Sequence, residues 1–192
     1  RYYSYGDFRL MSKILVDTID TRSGTSTLTL GSSNAGTIAL GSGDVQSNFL
    51  YPAFEAYPSA DLSVASGSTV KVVANTERFD EGSCYDNSTN YRFTPNLAGR
   101  YFCYCSYTYN LTDGNLGLVA ELRKNGSAVL SAKHGADANQ NYLTGVCQGV
   151  IQFNGSSDYL EFFTATDSGS TRTLASDSQR TYFGAYRIGT AT

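Results

Sequence analysis

The sequence predicts an all-β protein, a strand sandwich preceded by a thinner β-rich segment, and three observations predict it. No window of ten or more residues carries apolar side chains at helical spacing, whereas Leu116, Leu118, Ala120 and Leu122 alternate strictly with their neighbours. Asn125-Gly126 and Asn154-Gly155 separate β-prone runs, and Asn-Gly is the strongest short-range hairpin signal. The composition, with 15 Tyr, 10 Phe and 19 Gly but only 16% charged residues, suits many short strands joined by polar turns.

At 192 residues the chain has room for one domain of ordinary size and an extension. A net charge of −3 gives no electrostatic case for nucleic acid or an anionic membrane as a partner. No apolar run approaches the roughly 20 residues that a spanning helix needs. The opening Arg1-Tyr2-Tyr3-Ser4-Tyr5 lacks the apolar core of a secretory signal. The cysteines are Cys84, Cys103, Cys105 and Cys147. Cys103 and Cys105, two apart on one strand, share a face but have poor geometry for bonding each other. With one His and no Cys-x-x-Cys pair, a zinc site is not expected. The thiols read as small buried hydrophobes, with a single bridge involving Cys147 as the alternative. An even cysteine count does not by itself establish an oxidising compartment.

Residues 1–13 are unusually aromatic, with Tyr2, Tyr3, Tyr5 and Phe8. So short a segment cannot bury four rings within itself, and tyrosine suits contact with a larger partner. Met11 opens a run that reads as an ordinary translation start, so residues 1 to 10 are either native sequence ahead of it or an addition. From residue 14 to 48 the composition turns to Thr, Ser, Gly and Leu. Ile14-Leu15-Val16 is β-prone, Leu28 and Leu30 alternate with Thr27 and Thr29, and Leu30-Gly31-Ser32 returns as Leu40-Gly41-Ser42. Each unit has too few apolar side chains for a core of its own, whereas three chains wound about one axis would bury them together. The alternating Leu and Ile favour such a shaft over a flexible Gly/Ser linker. An Ile-Leu-Val-Asp opening followed by Gly/Thr/Leu repeats is similar to the amino-terminal regions of bacteriophage fibre proteins.

The head is expected over residues 49–192. Pro52 follows Phe49-Leu50-Tyr51, and Phe54 and Ala56 suit a first strand. Thr69 to Ala74 reads as a strand with Val70 and Val72 on one face, and Phe79 to Asn90 as loop and hairpin. Tyr91-Arg92-Phe93 leads to Pro95, which lacks an N–H and stops the strand. Gly99 is expected to supply the angles of a return turn. Arg100 to Tyr109 is aromatic and thiol on both alternations, as in a strand covered on both faces. Leu116 to Lys124 is a half-buried strand, Ser127 to Ala132 its return, and Lys133 to Tyr142 a polar loop. Leu143 to Phe153 is a strand whose glycines mark a bulge or a close backbone approach. Tyr159 to Ala165 is a further strand, Asp167 to Gln179 an exposed loop, and Arg180 to Gly189 the closing strand.

Phe93, five residues, Gly99, one residue and Tyr101 make a spaced motif, followed by alternating positions that hold Cys103 and Cys105. This motif resembles the signature of the C1q/tumour-necrosis-factor-like head, which usually has Phe or Tyr where the two cysteines stand. Phe79-Asp80, Tyr85-Asp86, the Leu122 to Gly126 strand-turn and Phe183-Gly184-Ala185-Tyr186 follow in the family's order, so the resemblance covers roughly Leu50 to Ile188. It implies a jelly-roll sandwich, with Asp80 and Asp86 bonding turn amides. It also places the Tyr101 to Tyr109 strand toward a threefold axis, so a homotrimer is implied.

Catalytic chemistry is not expected. His134 stands between Lys133 and Gly135, with Asp137 near but no Gly-x-Ser-x-Gly elbow. Glu77, Asp80, Glu81 and Asp86 cluster, and their reading is structural rather than a paired-carboxylate site. Some C1q-like heads bind calcium, and Asp113 and Asp137 carry oxygen ligands, but neither follows calcium-loop spacing, so turn capping is the reading adopted. No cofactor or metal is expected.

The combination points to a virion structural protein of a bacteriophage: a trimeric capsid or tail fibre on the particle's exterior, with a β stalk and an outward C1q-like head. Tyr2, Tyr3, Tyr5 and Phe8 would anchor it on another virion protein. Ile14, Leu28, Leu30, Tyr101 and Tyr104 would make trimer contacts, and the head would meet a host receptor or glycan. The alternative is a non-viral bacterial C1q-like lectin or adhesion module.

Overall fold

The computed structural model describes residues 52–111, 116–136 and 140–190. Alternation of apolar and polar side chains along it produces thirteen strands and, among the described residues, no helix. They are β1 (Ala53–Tyr57), β2 (Leu62–Val64), β3 (Thr69–Lys71), β4 (Thr76–Glu81), β5 (Tyr85–Asp86), β6 (Arg92–Phe93) and β7 (Gly99–Asn110). Then come β8 (Leu116–Lys124), β9 (Ser127–Ala136), β10 (Tyr142–Phe153), β11 (Leu160–Thr166), β12 (Arg172–Leu174) and β13 (Tyr182–Gly189).

The strands form two sheets whose ladders are antiparallel throughout. The larger runs β2-β12-β7-β13-β1-β4, with β10 also paired to β7. β10 pairs with β7 over its whole length, Phe153 opposite Gly99 and Tyr142 opposite Asn110. The smaller runs β5-β6-β11-β8-β9, with β3 also on β11. This is the all-β jelly-roll sandwich expected of the head.

Between the sheets lies a core built on rings. Phe54 is fully buried, stacked on Tyr85 at 4.7 Å and Phe93 at 4.5 Å, with Phe183 edge-on at 4.9 Å. Burying an aromatic side chain of this kind contributes about 2–3 kcal/mol, and offset or edge contacts add to it. Buried tyrosines need a partner for the hydroxyl. Tyr101 donates to the Leu97 carbonyl at 2.7 Å and Tyr85 to that of Ala74 at 2.7 Å. Tyr109 shares a 2.8 Å hydrogen bond with Thr164, which donates on to the Val119 carbonyl. Burial pushes the Tyr101 and Tyr109 phenols up to about 12. All four cysteines are free and buried.

The turns follow from local chemistry. Asn125 and Gly126 both take positive φ, 53° and 81°, the geometry of a two-residue hairpin. Asp80 accepts from the N–H groups of Cys84 and Tyr85, and Asp86 from those of Ser88, Thr89 and Asn90, which is the structural role expected of both.

Four local expectations change. Gly99 is not in the left-handed region; it is needed because a Cβ there would lie 2.5 Å from the Gly189 carbonyl oxygen. Residues 133 to 136 belong to β9, because β8 offers a ladder partner for each of them. Residues 172 to 174 form β12 instead of open loop, with Arg172 and Leu174 buried. Phe79 lies on a strand, β4, where it pairs with Glu55. The glycines of β10 do mark close approaches, since a Cβ on Gly145 would meet the Tyr107 ring at 2.6 Å.

Candidate functional site

β7 is the strand that positions the candidate site. Its odd residues, Tyr101 to Tyr109, point into the core and are fully buried. Its even residues Phe102 and Tyr104 point the other way, outward and half-buried, so Tyr101 and Phe102 take opposite faces as alternation requires. Side chains opposite one another on paired strands share a face. Phe102 therefore stands between Val150 of β10 and Tyr186 of β13, and Ser106 between Val146 and Tyr182.

The outcome is a cluster of outward rings beside two valines, with the polar Ser106 and Gln148 set among them. Phe102 and Tyr186 have ring centroids 5.6 Å apart, and Tyr104 lies 6.3 Å from Tyr182 and 6.4 Å from Tyr186. Val146 and Val150 remain 49% and 54% exposed, which leaves this edge of the surface uncovered by the chain itself. A depression of about 340 Å³ opens among Phe102, Tyr104, Val146, Gln148 and Tyr182.

Tyr104 is held by two contacts. Its ring lies over Gly184, where an added Cβ would meet it at 2.7 Å, and its hydroxyl donates to Glu55 Oε2 at 2.7 Å. Glu55 is also ion-paired to Arg78, whose guanidinium lies 5.1 Å from the Tyr182 ring. Burial, then the Glu55 carboxylate, keeps the Tyr104 phenol protonated well above its ordinary range.

The outer face of the smaller sheet has a different finish. Its ring, Phe163, is covered by Arg123 at 4.3 Å and Lys71 at 5.7 Å. Each cation is itself ion-paired, Arg123 to Glu121 and Lys71 to Glu161.

Of the residues expected at a trimer contact, Tyr104 lies on the open face. Tyr101 does not: it is fully buried, so its ring has no surface to offer another chain. Ile14, Leu28 and Leu30, and the anchoring residues Tyr2, Tyr3, Tyr5 and Phe8, lie outside the described residues. Sequence reasoning missed Val146, Val150, Tyr182 and Tyr186. The signal was present in Tyr182-Phe183-Gly184-Ala185-Tyr186, whose large outward rings alternate with inward Phe183 and Ala185.

Catalytic groups do not converge here. His134 lies on β9 and its Nδ1 shares a 2.7 Å hydrogen bond with the Tyr107 hydroxyl instead of a carboxylate. Among the described residues no cluster of three or more His, Cys, Asp or Glu is placed to hold a metal ion. Asp113 and Asp137 lie outside the described residues.

No protein-family model matches the chain, and no curated protein matches it. Solved structures do. The crystal structure of murine APRIL at pH 5.0 superimposes with a TM-score of 0.54 at 12% identity, covering 71% of this chain and 98% of that one. Murine APRIL at pH 8.0 gives 0.53 at 13% identity over the same shares, and at pH 8.5 gives 0.52 at 12%. The described residues thus have the jelly-roll fold of tumour-necrosis-factor-like proteins, the architecture that the Phe93, Gly99 and Tyr101 spacing implied.

Proposed function

We propose that the chain is a homotrimeric virion structural protein of a bacteriophage, a short capsid or tail fibre whose jelly-roll head faces outward to a host receptor or glycan. The observation that carries the trimer is the outer face of the larger sheet. Phe102, Tyr104, Tyr182 and Tyr186 form one patch with the half-exposed Val146 and Val150, and a patch of that kind on a folded domain calls for a partner. A second and third copy meet the requirement, since closed rotational symmetry lets the same surface be covered in every protomer. The virion assignment draws on the Ile14-Leu15-Val16-Asp17 opening, the Leu-Gly-Ser repeat and the aromatic residues Tyr2, Tyr3, Tyr5 and Phe8.

Val150→Asp tests the trimer. About half of this valine is left to bury, worth about 1 kcal/mol. An unpaired carboxylate in its place costs about 3–5 kcal/mol at each of three contacts. Light scattering should show a trimer for the native chain and a folded monomer for the variant at micromolar concentration. A native monomer, or a variant trimer, would overturn the reading. Deleting residues 1 to 10 tests the anchor: the truncated trimer should be missing from purified particles, and its retention there would refute the anchoring role.

A further inference from the structure

Two of the four cysteines are placed to react with each other. Cys105 on β7 and Cys147 on β10 are direct partners in the antiparallel ladder. Residues so opposed have Cα atoms about 4.5–5.5 Å apart, inside the roughly 4.4–6.8 Å that a disulfide spans. Both side chains point between the sheets, where Cys105 is 0% and Cys147 3% exposed. The remaining two lack this arrangement. Cys103 stands opposite Gly149 and Ala185 and donates to the Tyr101 carbonyl, and Cys84 donates to that of Gly82.

We propose that Cys105 and Cys147 are a disulfide-forming pair that ties β10 to β7 when the chain folds in an oxidising environment. The oxidant is a low-molecular-weight disulfide, RSSR. The Cys147 thiolate attacks one of its sulfurs, forming a mixed disulfide and releasing one thiolate, RS⁻. The Cys105 thiolate then attacks Cys147 Sγ and releases the second. The sum is two protein thiols and RSSR giving one protein disulfide and two RSH, with two electrons passed to RSSR. Because the exchange precedes burial, the two thiolates can act in the reverse order with the same sum. The exchange belongs to folding, before the smaller sheet closes over the pair, since in the finished sandwich neither sulfur is open to RSSR. Among the described residues β10 has no ladder partner but β7, so the bond secures the strand that carries Val146 and Val150. This inference does not depend on the oligomeric state.

The full chain is refolded in mixed reduced and oxidised glutathione, alkylated in denaturant, and analysed by intact mass and peptide mapping. Two of the four cysteines should escape alkylation, with the peptides bearing Cys105 and Cys147 joined. Before alkylation the mass should be about 2 Da below that of the reduced chain. Closing this loop should raise Tm by roughly 10 °C over the reduced protein. Cys84→Ala/Cys103→Ala should still form the bridge, and Cys147→Ser should form none. Four alkylated cysteines in the refolded native chain, or a bridge using Cys84 or Cys103, would overturn the assignment.

Discussion

Replacing Phe54 tests whether the core is held by ring geometry or only by volume. The ring is fully buried and touches three others, stacked on Tyr85 and Phe93 and edge-on to Phe183. Truncation of a buried Phe to Ala costs about 3–5 kcal/mol through lost transfer energy and the cavity left behind. Each of the three ring contacts adds about 0.5–1.5 kcal/mol beyond area burial, so Phe54→Ala should fall at the upper end, about 5 kcal/mol. Phe54→Leu keeps most of the volume and loses the ring contacts, and should cost about 2–3 kcal/mol. Urea titration measures both. All variants must be compared at one protomer concentration, because self-association of the kind proposed would make apparent stability concentration-dependent. The midpoint should shift while the slope holds. A cost for Phe54→Ala below about 2 kcal/mol would refute the packing described. A cost for Phe54→Leu below about 0.5 kcal/mol would refute the part assigned to ring contacts.

Two further perturbations address the turns. The N–H groups of Thr89 and Ser88 and the Asn90 side chain hold the Asp86 carboxyl well below its ordinary value. Its contribution is therefore complete above the unfolded pKa of about 4 and is lost as pH falls toward the depressed folded value. Tm should drop between about pH 4 and pH 2, and Asp86→Asn should flatten that drop; parallel curves would contradict the role given to Asp86. Gly155 has φ 74°, and a Cβ there would lie 2.2 Å from the Ala98 nitrogen. Gly155→Ala should cost more than 2 kcal/mol, above the roughly 1–2 kcal/mol of positive φ alone. Gly126→Ala, with φ 81° and nothing nearer than 3.9 Å, should show only the smaller cost. Equal losses at the two glycines would mean that the Ala98 backbone yields.

Strands that carry their own apolar pattern were legible in the sequence. Leu118, Ala120 and Leu122 announce β8, and Phe93, Gly99 and Tyr101 locate β7 and the fold around it. Strands that exist because a neighbour offers a ladder were not. Residues 133 to 136 are polar and read as loop, yet β8 opposite them supplies hydrogen-bonding partners that no local pattern reveals. The short β12 likewise takes its place from β2 and β7, not from its own composition. Tyr104 was legible as part of an aromatic excess. Its company was not, because Val150 and Tyr186 are 36 residues apart in number and meet Phe102 only through the register of two separate ladders. Gly99 was found for the wrong reason: spacing singles it out, but close approach to Gly189 comes from strand packing, which spacing does not encode.

The finish of the smaller sheet has a consequence for where a second chain can dock. Phe163 is already occupied on its outer side by Arg123 and Lys71 of the same chain, each neutralised by its own carboxylate. A neighbour docking on that ring would have to strip two ion pairs from water and displace two cations from it. That ring therefore offers less to a second chain than the uncovered rings Phe102 and Tyr186 of the larger sheet. The cation cover over Phe163 thus works against association through that ring and leaves the larger sheet as the face better suited to a second copy.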